Sequence, residues 1–165
     1  MPRIQRITPC FWFDHQAEEA ARFYTSVFPN SRIGRIAHYG EAGKKIHGRP
    51  AGSVMTVAFE LDGQSFTALN GGPVFQFNEA ISLQINCATQ AEIDHYWEKL
   101  GAGGDPAAQQ CGWLKDRFGV SWQVVPTILQ ELIKDPDPRK ADRTFNAMLG
   151  MKKLDIAALQ RAHDA

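Results

Sequence analysis

The stretch Cys111–Pro126, CGWLKDRFGVSWQVVP, constrains the fold more than any other part of the chain. It reads as strand, tight turn, strand. Trp113 and Leu114 begin the first strand, Asp116–Gly119 holds turn residues, and Val120–Val125 is rich in β-formers. Side chains alternate across a strand, so Ser121 and Gln123 point one way while Trp122 and Val124 point the other. A polar row on a strand this apolar suggests a hollow that needs hydrogen bonds.

The same alternation recurs earlier. Over Ala80–Cys87, Ile81, Leu83, Ile85 and Cys87 oppose Ser82, Gln84 and Asn86. Thr89-Gln-Ala-Glu92 is a capping box opening a helix with Ile93, Tyr96, Trp97 and Leu100 at helical spacing, and Gly101 suits its C′ position. In the first half, Ile4–Phe13 is β-rich. Asp14 or His15 caps a helix through about Phe28, with Ala17, Ala20, Ala21, Tyr24, Val27 and Phe28 on one face. Arg32–Tyr39 reads as a strand and Gly40–Gly52 as a loop. Ser53–Leu61 and Gln64–Asn70 flank the hairpin signal Asp62-Gly63. Gln16-Ala17-Glu18 returns as Gln90-Ala91-Glu92, each just after a strand, which points to an internal duplication. The tail is helical: a Thr-x-x-Gln box at Thr127, a cap at Asp137-Pro138, an end at Gly150 and a cap at Asp155.

Composition narrows the function classes. The 165 residues suit one compact domain or two small modules, and 44% apolar residues suffice for a core. Eighteen basic and eighteen acidic residues cancel, so no net field favours nucleic acid or an anionic membrane. No apolar run approaches a membrane span, and MPRIQRITP lacks the apolar region of a signal peptide. Cys10, Cys87 and Cys111 are odd in number and widely spaced, as reduced thiols in the cytoplasm would be.

Several motifs fail on inspection. Gly40-Glu-Ala-Gly43-Lys44 lacks the P-loop spacing, and Gly101-Ala-Gly103-Gly104 follows a helix and meets Pro106, so it cannot open a dinucleotide-binding helix. Asp14-His15 reads as a helix start or an acid–base pair. Lys44, Lys45, His47 and Arg49 form a solvated loop or an anion-attracting lid. Cys111 reads as a small hydrophobe or, beside a loop, as a reactive thiol. The aromatic set Phe66, Phe75, Phe77 and Trp122 suits a core better than a stacking platform. For the rows Ser82–Gln84–Asn86 and Ser121–Gln123, a water-facing sheet and a ligand-binding hollow both fit. Small uncharged groups prevail where a solvated face would carry Lys and Glu.

Three stretches, Ile7–Phe28, Val57–Ser82 and Cys111–Pro126, with the tail Ala147–Ile156, resemble the PhnB-like branch of the vicinal-oxygen-chelate superfamily. That branch carries the label 3-demethylubiquinone-9 3-methyltransferase; the superfamily includes glyoxalase I, bleomycin-resistance proteins and extradiol dioxygenases. The resemblance implies an α+β fold of two tandem βαβββ modules, a half-barrel pair, at residues 1–78 and 79–126, with helices over 127–165. It implies a homodimer and a pocket for a small organic molecule, lined by Pro9, Phe11, Phe66, Ala68, Asn70, Phe75, Ser82, Gln84, Ser121 and Gln123. Metal-using members place His, Glu, His and Glu where this chain has Pro9, Ala68 or Asn70, Ser82 and Gln123, so neither a metal nor another cofactor is expected. The expected function is metal-independent binding of a small molecule, as in bleomycin-resistance proteins. The alternatives are a methyltransferase acting on a quinone-like ring, an acid–base enzyme using Glu79, Cys111 or Asp116, and an interaction protein with a vestigial pocket.

Overall fold

A computed structural model describes residues 4–165; the first three residues of the segment read above for a leader lie outside it. The chain divides into two compact units between Phe77 and Asn78. No helix among the described residues is long and apolar enough to cross a membrane.

The first unit contains β1 (Cys10–Phe13), α1 (Ala17–Val27), β2 (Arg32–His38), the single turn α2 (Lys44–His47), β3 (Val54–Leu61) and β4 (Gln64–Asn70). Its sheet has the order β1-β4-β3-β2, with β1 parallel to β4 and the other pairs antiparallel. Register places Phe11 beside Ala68, Phe13 beside Asn70, Val57 beside Ala68 and Phe59 beside Phe66. All are buried and share the face covered by α1, whose Tyr24 ring lies 6.2 Å from Phe11 and 6.3 Å from Phe59. The β3–β4 turn uses Asp62 and Gly63 at φ 45° and 75°, the two left-handed positions of a tight hairpin.

The first strand is shorter than the β-rich run Ile4–Phe13. Pro9 has no N–H to donate, although its carbonyl accepts from Thr67 N at 3.0 Å. Upstream, the Gln5 side chain replaces a strand: its Oε1 accepts from Ser65 N and its Nε2 donates to Ser65 O, both at 3.0 Å. The start of α1 also differs from the sequence reading. Neither Asp14 nor His15 caps it. Gln16 holds the N-cap position without a side-chain bond, and Ala17 N donates to Asn70 Oδ1 at 2.8 Å. Within the Gly40–Gly52 loop, α2 sits between left-handed Gly43 and Gly48. His47 stacks on Tyr39 with centroids 4.5 Å apart, and Arg49 donates to the Asp14 carbonyl, so two of the four basic residues fasten the loop.

The second unit contains β5 (Leu83–Cys87), α3 (Gln90–Gly101), β6 (Trp113–Lys115) and β7 (Ser121–Pro126), followed by α4 (Leu129–Leu132), α5 (Pro138–Leu149) and α6 (Ile156–Asp164). Its sheet has three strands in the order β5-β7-β6, with β5 parallel to β7. A 3-10 turn at Pro106–Ala108 stands between α3 and β6 where the five-element plan has another strand. Left-handed Gly103 and the N–H-free Pro106 favour a turn there, and a Cβ on Gly104 would lie 2.0 Å from Lys115 O, so the connection presses against β6 backbone. Thr89 and Glu92 form the expected capping box. The helix ends at Gly101, with the left-handed residue two positions on at Gly103. Trp122, Val124 and Leu114 are buried on the face that also carries Leu83 and Ile85, together with Ile93 and Leu100 of α3. Ile81, expected in that core, lies before the ladder and is 81% exposed.

The tail docks within this unit. Val125 of β7 joins Leu129, Leu132, Leu154 and Leu159 in one buried cluster, with Met148 packed against it. Asp137 and Asp155 cap α5 and α6 as expected, whereas α4 begins without a bond from Thr127. Phe145 and Leu149, placed with Met148 on one stripe, remain about half exposed.

Candidate functional site

In the second unit, the face of the sheet turned away from α3 carries the polar rows. Gln84 lies beside Gln123, Gln123 beside Trp113, and Ser121 beside Lys115. Paired residues share a face, so these side chains form a small grid. Gln123 Nε2 donates to Ser82 Oγ at 2.7 Å, and Gln84 Nε2 donates to Asn86 Oδ1 at 2.9 Å. Lys115 pairs with Glu79, and this hydrogen bond holds the Glu79 carboxyl below the usual carboxylate range. Ser121 is buried, Gln123 and Ser82 are half-buried, and Gln84 is exposed. The cluster around Val125 closes the row at the far end of β7. The structure thus brings Ser82, Gln84, Ser121 and Gln123 together, with Trp113 and Lys115 among them.

The first unit places its expected liners differently. Phe11, Phe66, Ala68 and Asn70 belong to the core under α1. Asn70 is committed to structure: its Oδ1 accepts from Ala17 N, and its Nδ2 donates to Val54 O at 3.1 Å. Pro9 is half-buried beside β4. The other face of this sheet carries Cys10, Trp12, Thr56, Ala58, Thr67 and Leu69. Its Cys10 thiol is pushed up by burial. Trp12 is held by its Nε1 bond to Gly72 O at 2.8 Å and lies against Gly71, where a Cβ would meet the indole at 2.1 Å. Phe75, 62% exposed, stands edge-on to Trp12 at 5.0 Å. Trp12 was hidden in the sequence because Phe11 and Trp12 are both aromatic, so the phase of the strand is not readable there.

Two of the proposed acid–base candidates sit elsewhere. Asp116 is 2% exposed and builds the β6–β7 turn, accepting from Phe118 N at 2.8 Å, Val120 N at 3.0 Å and Trp122 Nε1 at 2.8 Å. A carboxylate so enclosed is a turn anchor. Cys111, at φ 51°, adjoins the tail, its amide donating to Met151 O at 2.8 Å. Only Glu79 adjoins the polar grid, through Lys115.

The profile of the family described as 3-demethylubiquinone-9 3-methyltransferase matches residues 5–125. The PhnB protein from Bacillus cereus is similar to this chain at 37% identity and a TM-score of 0.63, over 74% of this chain and 100% of that one. The chain belongs to the PhnB-like family. That family lies in the glyoxalase/bleomycin-resistance superfamily. Protein PA1353 from Pseudomonas aeruginosa, at 20% identity and a TM-score of 0.56 over 74% of this chain and 98% of that one, shares the fold. No sequence among the curated proteins matches this chain.

The residues of this PhnB-like chain do not fit the superfamily metal, and its helix openings do not fit a methyl donor held in the doubly wound manner. Pro9 and Ala68 offer no side-chain donor atom, Asn70 is bonded at both ends of its amide, and Ser82 and Gln123 supply only a neutral hydroxyl and a neutral amide. Neutral hydroxyls and amides do not build a divalent transition-metal site. Among the described residues no three His, Cys, Asp or Glu side chains converge. A methyl donor bound in the doubly wound manner needs a Gly-rich turn from strand to helix. Here the turns that open the longer helices α1 and α3, Asp14–Gln16 and Ala88-Thr89, contain no glycine, and Gly40 and Gly43 precede only the single turn α2.

Proposed function

We propose that this PhnB-like protein binds a small organic molecule with a flat ring on the polar face of its second sheet, without a divalent metal. One observation carries the reading: Ser82, Gln84 and Gln123, all uncharged hydrogen-bonding groups, share that face with Trp113. The Ser82–Gln123 bond leaves Gln123 Oε1 and the Ser82 hydroxyl proton for a ligand. Directional groups of this kind fix orientation while an aromatic surface covers the apolar body. The proposal includes a homodimer, as the superfamily resemblance implies, and a reducing compartment that suits three free cysteines.

Thermal melting against a panel of aromatic heterocycles, phenols and quinones tests the reading. A ligand at 100 times its Kd stabilises by about 2.7 kcal/mol. A shift in Tm that Gln123→Ala abolishes supports the proposal; no shift across the panel overturns it.

A further inference from the structure

The ion pair at the edge of the polar grid points to the charge of the ligand. Lys115 is the one cation on the described part of β6 and β7, and its side chain is 25% exposed. It follows Trp113 by two residues on the same face, a separation of about 7 Å along a strand. Gln123 lies beside Trp113 and Ser121 beside Lys115. These four side chains make a rectangle with an aromatic surface and an amide at one end and an ammonium and a hydroxyl at the other. A bicyclic ring carrying a carboxylate spans that distance.

The partner of Lys115 comes from a different kind of structure. Glu79 lies in the irregular segment before β5, next to the turn in which Ala80 N donates to Asn78 Oδ1. Its side chain is 56% exposed. No strand ladder holds it in place, so it can withdraw without breaking the sheet. With the Glu79 end of the pair more than half in solvent, water screens the attraction and holds it weakly. An incoming carboxylate that takes the place of Glu79 keeps Lys115 paired and adds contacts with Trp113 and Gln123.

We propose that Glu79 is a resident stand-in carboxylate on Lys115, and that the ligand is an aromatic anion whose acidic group displaces it. The inference rests on the binding reading above and adds the charge of the ligand and the role of the ion pair. Glu79 is thereby a competitor, neither an acid nor a base in a reaction. This assignment makes the two halves of one ion pair respond in opposite directions. A pair that serves only structure would not.

The test is titration of tryptophan fluorescence at low salt with 2-naphthoate and its neutral isostere 2-naphthamide. The wild-type protein, Lys115→Met and Glu79→Gln are compared, with folding checked by thermal melting. The expected result is a five- to tenfold preference of the wild type for naphthoate, its loss in Lys115→Met, and at least threefold tighter naphthoate binding in Glu79→Gln with naphthamide unchanged. A preference that survives Lys115→Met overturns the inference. So does weaker or equal naphthoate binding in Glu79→Gln, or no binding of either probe to the wild type. The binding reading stands or falls separately, on the panel of ring compounds and on Gln123→Ala.

Discussion

Asn70 and Gln123 are two amides that the family resemblance brings to expected metal-ligand positions, Asn70 as the alternative to Ala68, one in each unit, and their surroundings could hardly differ more. Asn70 is 6% exposed, and both ends of its amide are bonded to backbone: to the first N–H of α1 and to the Val54 carbonyl. Gln123 is half-buried, and its side-chain amide bonds to a side chain that is itself on the polar face. An amide satisfied by distant backbone fixes the fold. An amide leaning on a neighbouring hydroxyl has capacity left for something else. Place along the strand does not distinguish these roles; hydrogen-bond partners do.

The largest effect that would break this comparison lies at Asn70. Asn70→Ala leaves the Ala17 N–H and Val54 carbonyl without their partner in the core, at a cost of about 2–3 kcal/mol. Urea denaturation measures it, and a change under 0.5 kcal/mol would show that α1 needs no such cap.

The next effect concerns alkaline stability and the second unit. Burial pushes the Cys87 thiol up to about 11, with Glu92 adding to the shift. The unfolded thiol ionises near its ordinary value of 9.0, so the folded state retains the proton more strongly. Stability from this group is therefore whole below about pH 9 and falls as the pH rises towards 11. The loss is about 1–2 kcal/mol once solvent screening is allowed for. Cys87→Ala should flatten that part of the pH profile. A wild-type profile already flat from pH 9 to 11 would contradict the burial argument.

The smallest effect on stability, and the sharpest contrast, belongs to Gln123. Gln123→Ala should change stability by less than about 1 kcal/mol, because Ser82 can turn to water. Calorimetric denaturation provides the check, and a loss as large as that at Asn70 would make Gln123 a structural amide too.

Much of the fold is legible in local chemistry. The Thr89–Glu92 box, the Asp62-Gly63 turn and the Asp137-Pro138 start all act within a few residues, and each stands where the sequence puts it. The polar row of the second unit is legible as well, because Ser82, Gln84, Ser121 and Gln123 alternate against large apolar residues. The first unit is not readable in this way. Phe11 and Trp12, or Ala68 and Leu69, are apolar in both phases, and a shift of one residue exchanges the faces of a strand. The cap of α1 is also illegible, since its donor and acceptor stand 53 residues apart. The 3-10 turn that stands where the second unit's plan has another strand is illegible too, since the close approach of Gly104 to β6 is a distance no sequence pattern states.

The side chain of Gln5 has a consequence for how the protein behaves among its own copies. Beyond Pro9 the margin of β4 would otherwise offer Ser65 as an open donor and acceptor, the template on which another chain's strand can grow. Gln5 fills both positions with one amide, presenting no further main-chain repeat to continue the ladder. A single side chain thus occupies the donor and acceptor from which such a ladder would start, in a stretch whose neighbours Ile4 and Ile7 are exposed and apolar.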